Sequence, residues 1–233
     1  MHCIVPLAGP DFYHPSYGIK PMIDYRGRPL IEALLKERSW YDTIEQFIFV
    51  LQDSTESRNF QQYAKGVFPH SSFVYLTSYT KGALLSSLAG AGQVDDFHAP
   101  IIVDLVDIDY TSQGFSPQAY FEQQNVAGII PYFTADDPCY SYLEVDKQGF
   151  LIHAKEKEVI SDKASCGTYF FKNLACFLTA VEGSIQRDQE LAVNGLFYLC
   201  PSFNVLIERG EVVMTQHLSL VSSISKETHV YGH

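Results

Sequence analysis

The chain has 233 residues, 46% of them hydrophobic and 18% charged, and a formal net charge of −11. That length can bury a sizeable core in one large or two small α/β units, the composition argues against a disordered chain, and the acidic balance argues against a broad nucleic-acid footprint, which needs basic patches. The five cysteines, Cys3, Cys139, Cys166, Cys176 and Cys200, lack CxxC spacing and read as reduced core residues, and no apolar run approaches the roughly 18 to 20 residues of a membrane helix.

Met1 leads at once into the strand-like Cys3-Ile4-Val5, which leaves no room for a signal peptide, so a soluble cytoplasmic protein is expected. Strand patterns at 3–7, 47–52, 72–77 and 101–107 alternate with helical patterns at 29–39, 57–67 and 81–90. Leu30, Ile31, Leu34 and Leu35 share one helical face; Phe60, Tyr63, Ala64 and Val67 share another. Such alternation predicts a parallel sheet with helices on both faces. A helix at 116–124 and a strand at 126–133 continue it. The texture then changes. Two strand patterns, 140–145 and 150–154, flank Asp146-Lys147-Gln148-Gly149, which has the Asp and Gly positions of a type I turn, so a hairpin makes the sheet mixed. A strand at 164–171, a helix at 174–181 and a helix at 201–209 ending at Gly210 close the pattern. Without repeats or linkers, one domain over 1–233 is expected.

The run Ile101-Ile102-Val103-Asp104-Leu105-Val106-Asp107-Ile108-Asp109 carries the strongest chemical signal. It reads as a strand buried on both faces, and carboxylates at its end incur a desolvation cost unless they meet a cation. The carboxyl ends of strands in an open α/β sheet form the ligand crevice. Hard oxygen ligands there suit Mg²⁺, which holds one or two carboxylates and completes its shell with water and phosphate oxygens. Asp107 and Asp109 are therefore the candidate metal ligands. After the first strand, Leu7-Ala8-Gly9 would let backbone amides approach a phosphate, and Lys20 would neutralise it. Each feature has an ordinary counterpart: Asp107 could cap the next loop, Asp109 could be a solvated turn residue, Lys20 a surface lysine, and Lys155-Glu156-Lys157-Glu158 a solvated strand end. The histidines, from His2 to His229 and His233, show no metal spacing. Hydrolase and kinase motifs are absent from the sequence.

Taken in order, these pieces resemble the sugar nucleotidyltransferases. Leu7-Ala8-Gly9, Lys20-Pro21-Met22 and Gly27-Arg28-Pro29-Leu30-Ile31-Glu32 are similar to that family's opening, and Thr80-Lys81-Gly82-Ala83 to its T-x-G-A stretch. Tyr142 through Gly149, Glu156-Lys157, Ile160-Ser161, Ala164 through Phe171, and Asn194-Gly195-Leu196-Phe197-Tyr198 with Pro201 and Asn204 resemble its capsule and lipopolysaccharide branch. The resemblance spans about residues 3–215. It implies a three-layer α/β/α Rossmann-like mixed sheet of the nucleotide-diphospho-sugar transferase (GT-A-like) type. Residues 1–110 would bind nucleotide and 111–233 the sugar or acceptor. It also implies transfer of a nucleotide from a nucleoside triphosphate to a sugar 1-phosphate or similar phosphorylated small molecule, releasing pyrophosphate, with Mg²⁺ as cofactor. Neither nucleic acid nor membrane insertion belongs to that scheme; homo-oligomeric assembly is compatible with it.

By the same resemblance, Leu7, Ala8, Gly9, Thr80 and Gly82 would surround the nucleotide, while Lys20 and Asp107 would serve catalysis. Asp107 would hold Mg²⁺, Glu156, Lys157 and Gly167 would line the sugar-phosphate side, and Asn204 would stand at a second-ligand position. Where the family reads G-S/T-R, however, this chain reads Pro10-Asp11-Phe12-Tyr13-His14, and Leu196 replaces a glutamate. The second glycine and the arginine are missing, Asp11 adds negative charge, and His14 could substitute only when protonated. Two alternatives follow: a glycosyltransferase with Asp107-Ile108-Asp109 as its Asp-x-Asp clamp, or a non-catalytic nucleotide-binding relative.

Overall fold

The structure, a computed structural model, describes residues 1–123 and 125–224; of the sequence readings, Gln124 at the end of the fourth helix and the histidines His229 and His233 lie outside these. Strands β1 (His2–Pro6), β2 (Gln46–Gln52), β3 (Ser71–Leu76) and β4 (Ile101–Asp104) are parallel, in the spatial order β4-β1-β2-β3. Their hydrophobic runs are continuous because alternate residues enter two cores. Cys3, Val5, Phe47, Phe49, Leu51 and Ile102 meet Leu34 of α1 (Leu30–Lys36), Trp40, and Phe60 of α2 (Thr55–Val67). Ile4, Ile48, Val50, Ile101 and Val103 meet Leu84 of α3 (Ala83–Ala91), and beyond it Phe177 and Phe203. Each large side chain so buried contributes about 1.5–3 kcal/mol. Gly90 lets α3 lie close on the sheet, since a Cβ there would stand 2.8 Å from Val50 and 2.9 Å from Ile4.

The chain continues through β5 (Ile108–Thr111), α4 (Pro117–Gln123) and β6 (Gly128–Thr134). The expected hairpin is present as β7 (Ser141–Val145) and β8 (Leu151–Glu156), closed where Gly149 N donates to Asp146 O and Asp146 Oδ1 accepts from Gln148 and Phe150. Then come β9 (Lys163–Ser165), β10 (Thr168–Phe171), α5 (Leu174–Gln186), α6 (Leu199–Glu208), β11 (Val213–His217) and β12 (Ser219–Ser223). Ten strands form one mixed sheet in the order β8-β7-β9-β6-β10-β4-β1-β2-β3, with β11 parallel to β6, while β12 pairs with β5. Helices on both faces complete the three layers read from the sequence.

Two expected strands are broken, and both breaks lie at the crevice. The strand predicted over 101–107 stops at Asp104, because Asp104 Oδ1 accepts the Val106 amide at 2.9 Å and Val106 turns to φ +50°. The strand predicted over 164–171 is divided at Cys166-Gly167, with Gly167 at φ +71°. Beyond that division its outer neighbour changes: β4 runs beside β10, whereas β7 runs beside β9. The two neighbours diverge, and the turn carrying Asp107 occupies the fork, with Leu105 N donating to Gly167 O at 3.0 Å.

Candidate active site at the strand ends

The loop after β1 forms the first wall. Leu7 N donates to Val50 O, and Gln52 Nε2 donates to both Ala8 O and Ser78 O at 3.2 Å, tying the loops that follow β1 and β3. Gly9 is extended and precedes the single turn Pro10–Phe12; a Cβ there would stand 2.7 Å from Asp11 Oδ1. Gly82, at φ +104°, starts α3 so close to Phe197 that a Cβ would overlap the Phe197 carbonyl oxygen and stand 2.7 Å from its nitrogen. Thr80 Oγ1 donates to Gly82 O at 3.1 Å and shares a hydrogen bond with Ser86 Oγ. Leu7, Ala8, Gly9, Lys20, Thr80 and Gly82 thus line one cavity of about 550 Å³, which Asp107 also reaches. Leu196, in place of the glutamate, lines the same cavity.

Of the two lysines that line this cavity, Lys20 and Lys157, the first is already engaged by a carboxylate. Lys20 Nζ lies 2.6 Å from Asp11 Oδ2, the lysine side chain only 15% exposed and the aspartate 64%. Burial works against the Lys20 ammonium, but Asp11, by charge and hydrogen bond, and then Asp107 more than offset it, so its pKa stands above the ordinary value. His14 stacks on Tyr17 at 4.8 Å instead of lining this cavity, so it does not take the arginine's place.

Asp107 sits at the junction. It lines the first cavity and a second of about 530 Å³, together with Ala83, Leu105, Lys157 and Tyr198, which also border both. Its Oδ1 is buried with no hydrogen-bond partner, lying over Gly167, where a Cβ would stand 2.7 Å from it. Burial pushes the carboxyl up to about 6; Lys20 opposes this, while Asp104 and Asp11 add to it. A buried carboxylate oxygen without a donor calls for a proton or a cation.

Glu156, Lys157 and Gly167 line the second cavity with Ser141, Tyr169 and Tyr198. Burial raises Glu156 to about 7, against the Ser141 hydroxyl, which donates to it, and Lys157, with Asp107 adding to the rise. Lys157, at φ +56°, directs Nζ to the Tyr198 hydroxyl at 3.2 Å.

Two expected ligands fall elsewhere. Asp109 points to the opposite side of its strand: Oδ2 accepts from Tyr25 at 2.9 Å and pairs with Arg26 at 3.0 Å, in a separate pocket. The break at Val106 destroys the alternation that would have placed Asp107 and Asp109 on one face. Asn204, 2% exposed, spends its amide on Ala154, accepting from Ala154 N at 2.8 Å and donating to Ala154 O at 2.9 Å. It holds α6 against β8 and carries no free oxygen toward Asp107. Among the described residues no group of three or more His, Cys, Asp or Glu could hold a metal. A Mg²⁺ ion here would rest on Asp107 and on substrate oxygens, a donor set that suits the ion. The sequence reading did not find Arg38, which is buried against Asp104, nor Ser141, and it named Tyr198 only within a motif, with no role of its own.

Neither a family model nor a curated protein matches this sequence. Solved structures do. A nucleoside-diphosphate-sugar pyrophosphorylase from Vibrio cholerae RC9 superposes with a TM-score of 0.83 at 21% identity, covering 99% of both chains. A protein assigned as a glucose-1-phosphate thymidylyltransferase from Bacillus anthracis gives 0.70 at 15% identity, over 99% of this chain and 94% of that one. The inositol-1-phosphate CTP transferase from T. maritima gives 0.68 at 12% identity, over 99% and 93%. The fold is therefore that of the nucleotide-diphospho-sugar transferases, as the motif order implied.

Proposed function

We propose that this chain is a Mg²⁺-dependent nucleotidyltransferase that joins a nucleoside triphosphate to a sugar 1-phosphate or similar phosphorylated small molecule, releasing pyrophosphate, in cytoplasmic capsule or lipopolysaccharide precursor synthesis. The observation that carries this reading is the position of Asp107: an unpartnered carboxylate oxygen at the junction of two cavities, one glycine-walled and one rich in hydroxyls. In-line attack of a phosphate on an α-phosphorus needs two substrates held end to end, with their mutual charge neutralised where they meet. Residues 1–110 present the triphosphate and 111–233 the acceptor, within one domain.

Leu7, Ala8 and Gly9 keep the backbone open to the phosphate chain, and Gly82 with Thr80 shapes the wall beside the base. Asp107 would hold Mg²⁺, which when bound neutralises phosphate charge and orients the reacting oxygens. Lys157 supplies the cation on the acceptor side, held by Tyr198. Glu156, poised near neutrality, presents one hydrogen-bonding carboxyl to acceptor hydroxyls. Lys20 is the cation for the leaving pyrophosphate, and reaching it requires the phosphate to displace Asp11.

The assay is direct: protein with Mg²⁺, each of the four ribonucleoside triphosphates or dTTP, a panel of sugar 1-phosphates, and pyrophosphatase to convert product to phosphate. Phosphate release abolished by Asp107→Asn supports the proposal. Failure of every triphosphate, with tight nucleotide binding retained, supports a non-catalytic relative, a reading favoured by the Asp11–Lys20 pair. The glycosyltransferase alternative loses its Asp-x-Asp clamp, because Asp109 is held by Tyr25 and Arg26.

A further inference from the structure

Behind the site, and untouched by the mechanism above, lies a buried ion pair. Arg38 is 3% exposed and Asp104 1%. Arg38 Nε donates to Asp104 Oδ2 at 3.2 Å, and its guanidinium lies 3.7 Å over the Tyr110 ring. The two partners also bond outward, and both bonds end beside Asp107. Asp104 Oδ1 accepts the amide of Val106 at 2.9 Å; Arg38 Nη2 donates to the carbonyl of Ile108 at 3.0 Å. The residues before and after Asp107 are thus each fixed by one member of the pair.

What they fix is an unfavourable conformation. Val106 is β-branched yet sits at φ +50°, a region that such residues occupy only when the surroundings over-determine it. Released, it would relax toward extended backbone and swing Asp107 away from Gly167. The opposite wall is braced by the same cluster, because the Tyr110 hydroxyl shares a 2.6 Å hydrogen bond with Thr168, the residue after Gly167. Ser39, next to Arg38, anchors the segment further, its amide donating to Ser112 and its hydroxyl to Phe115 O.

The geometry points to Arg38 and Asp104 as positioning residues that hold the Val106–Ile108 turn from beneath, so that Asp107 meets Gly167 and the junction of the two cavities. That they serve nucleotide transfer rests on the function proposed above; that they hold the turn does not. A guanidinium is required because one planar head must span a carboxylate and a carbonyl, which an ammonium on a single carbon does not do.

The test uses Arg38→Lys and, in case that variant fails to fold, Arg38→Met/Asp104→Leu, which removes both charges together. Hydrogen exchange of peptides covering 101–111 is compared with that of 47–52 in β2. The inference expects at least tenfold faster exchange confined to 101–111. It also expects kcat to fall about 10- to 100-fold, the range for supporting contacts of metal ligands, and the Mg²⁺-dependent gain in nucleotide affinity to shrink while the affinity without Mg²⁺ stays as in wild type. Exchange at 101–111 equal to wild type in a folded variant overturns the clamp. Faster exchange spread equally over 47–52, with nucleotide affinity falling equally with and without Mg²⁺, overturns it too, since the pair would then be general scaffold. If wild-type protein shows no transfer while 101–111 still loosens selectively, the clamp stands and the proposed function fails.

Discussion

Removing the Asp11 carboxylate should strengthen triphosphate binding. In the substitution Asp11→Asn the side chain keeps its shape and can still accept a hydrogen bond from Lys20, but the charge is gone. At 2.6 Å the pair would be worth several kcal/mol in a partly shielded setting. Asp11 is 64% exposed, however, so solvent screening reduces this to about 1 kcal/mol or less. An incoming phosphate must overcome that attraction and approach Asp11 itself. Both costs vanish in the variant, so the dissociation constant for a non-hydrolysable triphosphate analogue should fall by up to about 5-fold. Calorimetric titration at two salt concentrations reads this, and the variant's advantage should shrink at high salt. Equal or weaker binding by Asp11→Asn would refute the view that Asp11 occupies the triphosphate's cation.

Gly167→Ala should abolish transfer and destabilise the protein by about 1–3 kcal/mol, since φ +71° is unfavourable for alanine and its Cβ would press on Asp107 Oδ1; thermal unfolding and turnover check both. Gly82→Ala should cost as much in unfolding and weaken nucleotide binding, because Phe197 backbone has no room to retreat from a Cβ. In ligand-free protein, Asp107 is raised from 3.8 to about 6 and Glu156 from 4.5 to about 7, so their neutral forms favour the fold. That stability is complete below the unfolded values and is lost as pH rises through about 6 to 7. Asp107→Asn should therefore stabilise the apo protein at pH 8 by about 1–3 kcal/mol and leave it unchanged near pH 3.5. Urea titrations that show no such pH-dependent gain would contradict the buried, unpaired carboxylate.

Much of the fold was legible because β1, β2 and β4 are so strongly aliphatic and aromatic that only a sheet buried on both faces accommodates them; the bounds of β1 and β2 shift by a residue, and β4 starts as predicted but ends three residues early. Helix α5 runs on to Gln186, past the predicted end at 181, since nothing at Glu182–Gly183 forbids another turn. Gly183 instead admits Val205, whose methyls would meet any Cβ there. The breaks at Val106 and Gly167 were illegible for opposite reasons. Valine favours strand locally and was overruled by the Asp104–Arg38 contacts, while Gly167 stands within a run of good strand formers. Asp109 was misplaced by the same break. Motif order gathered Leu7 through Gly9, Lys20, Thr80, Gly82, Asp107, Glu156, Lys157 and Gly167 around two adjoining cavities. Arg38 offered no signal, since Lys36-Glu37-Arg38 resembles any solvated helix end, and its burial depends on Asp104, far away in sequence.

The most direct test measures the affinity of each non-hydrolysable nucleoside triphosphate analogue with and without Mg²⁺, for the wild type and for Asp107→Asn. If the Asp107 carboxylate grips the ion against the phosphates, Mg²⁺ should tighten the cognate analogue at least tenfold in the wild type, about 1.4 kcal/mol, and leave the variant's affinity unchanged. An equal gain in both proteins, or none in the wild type, would contradict it.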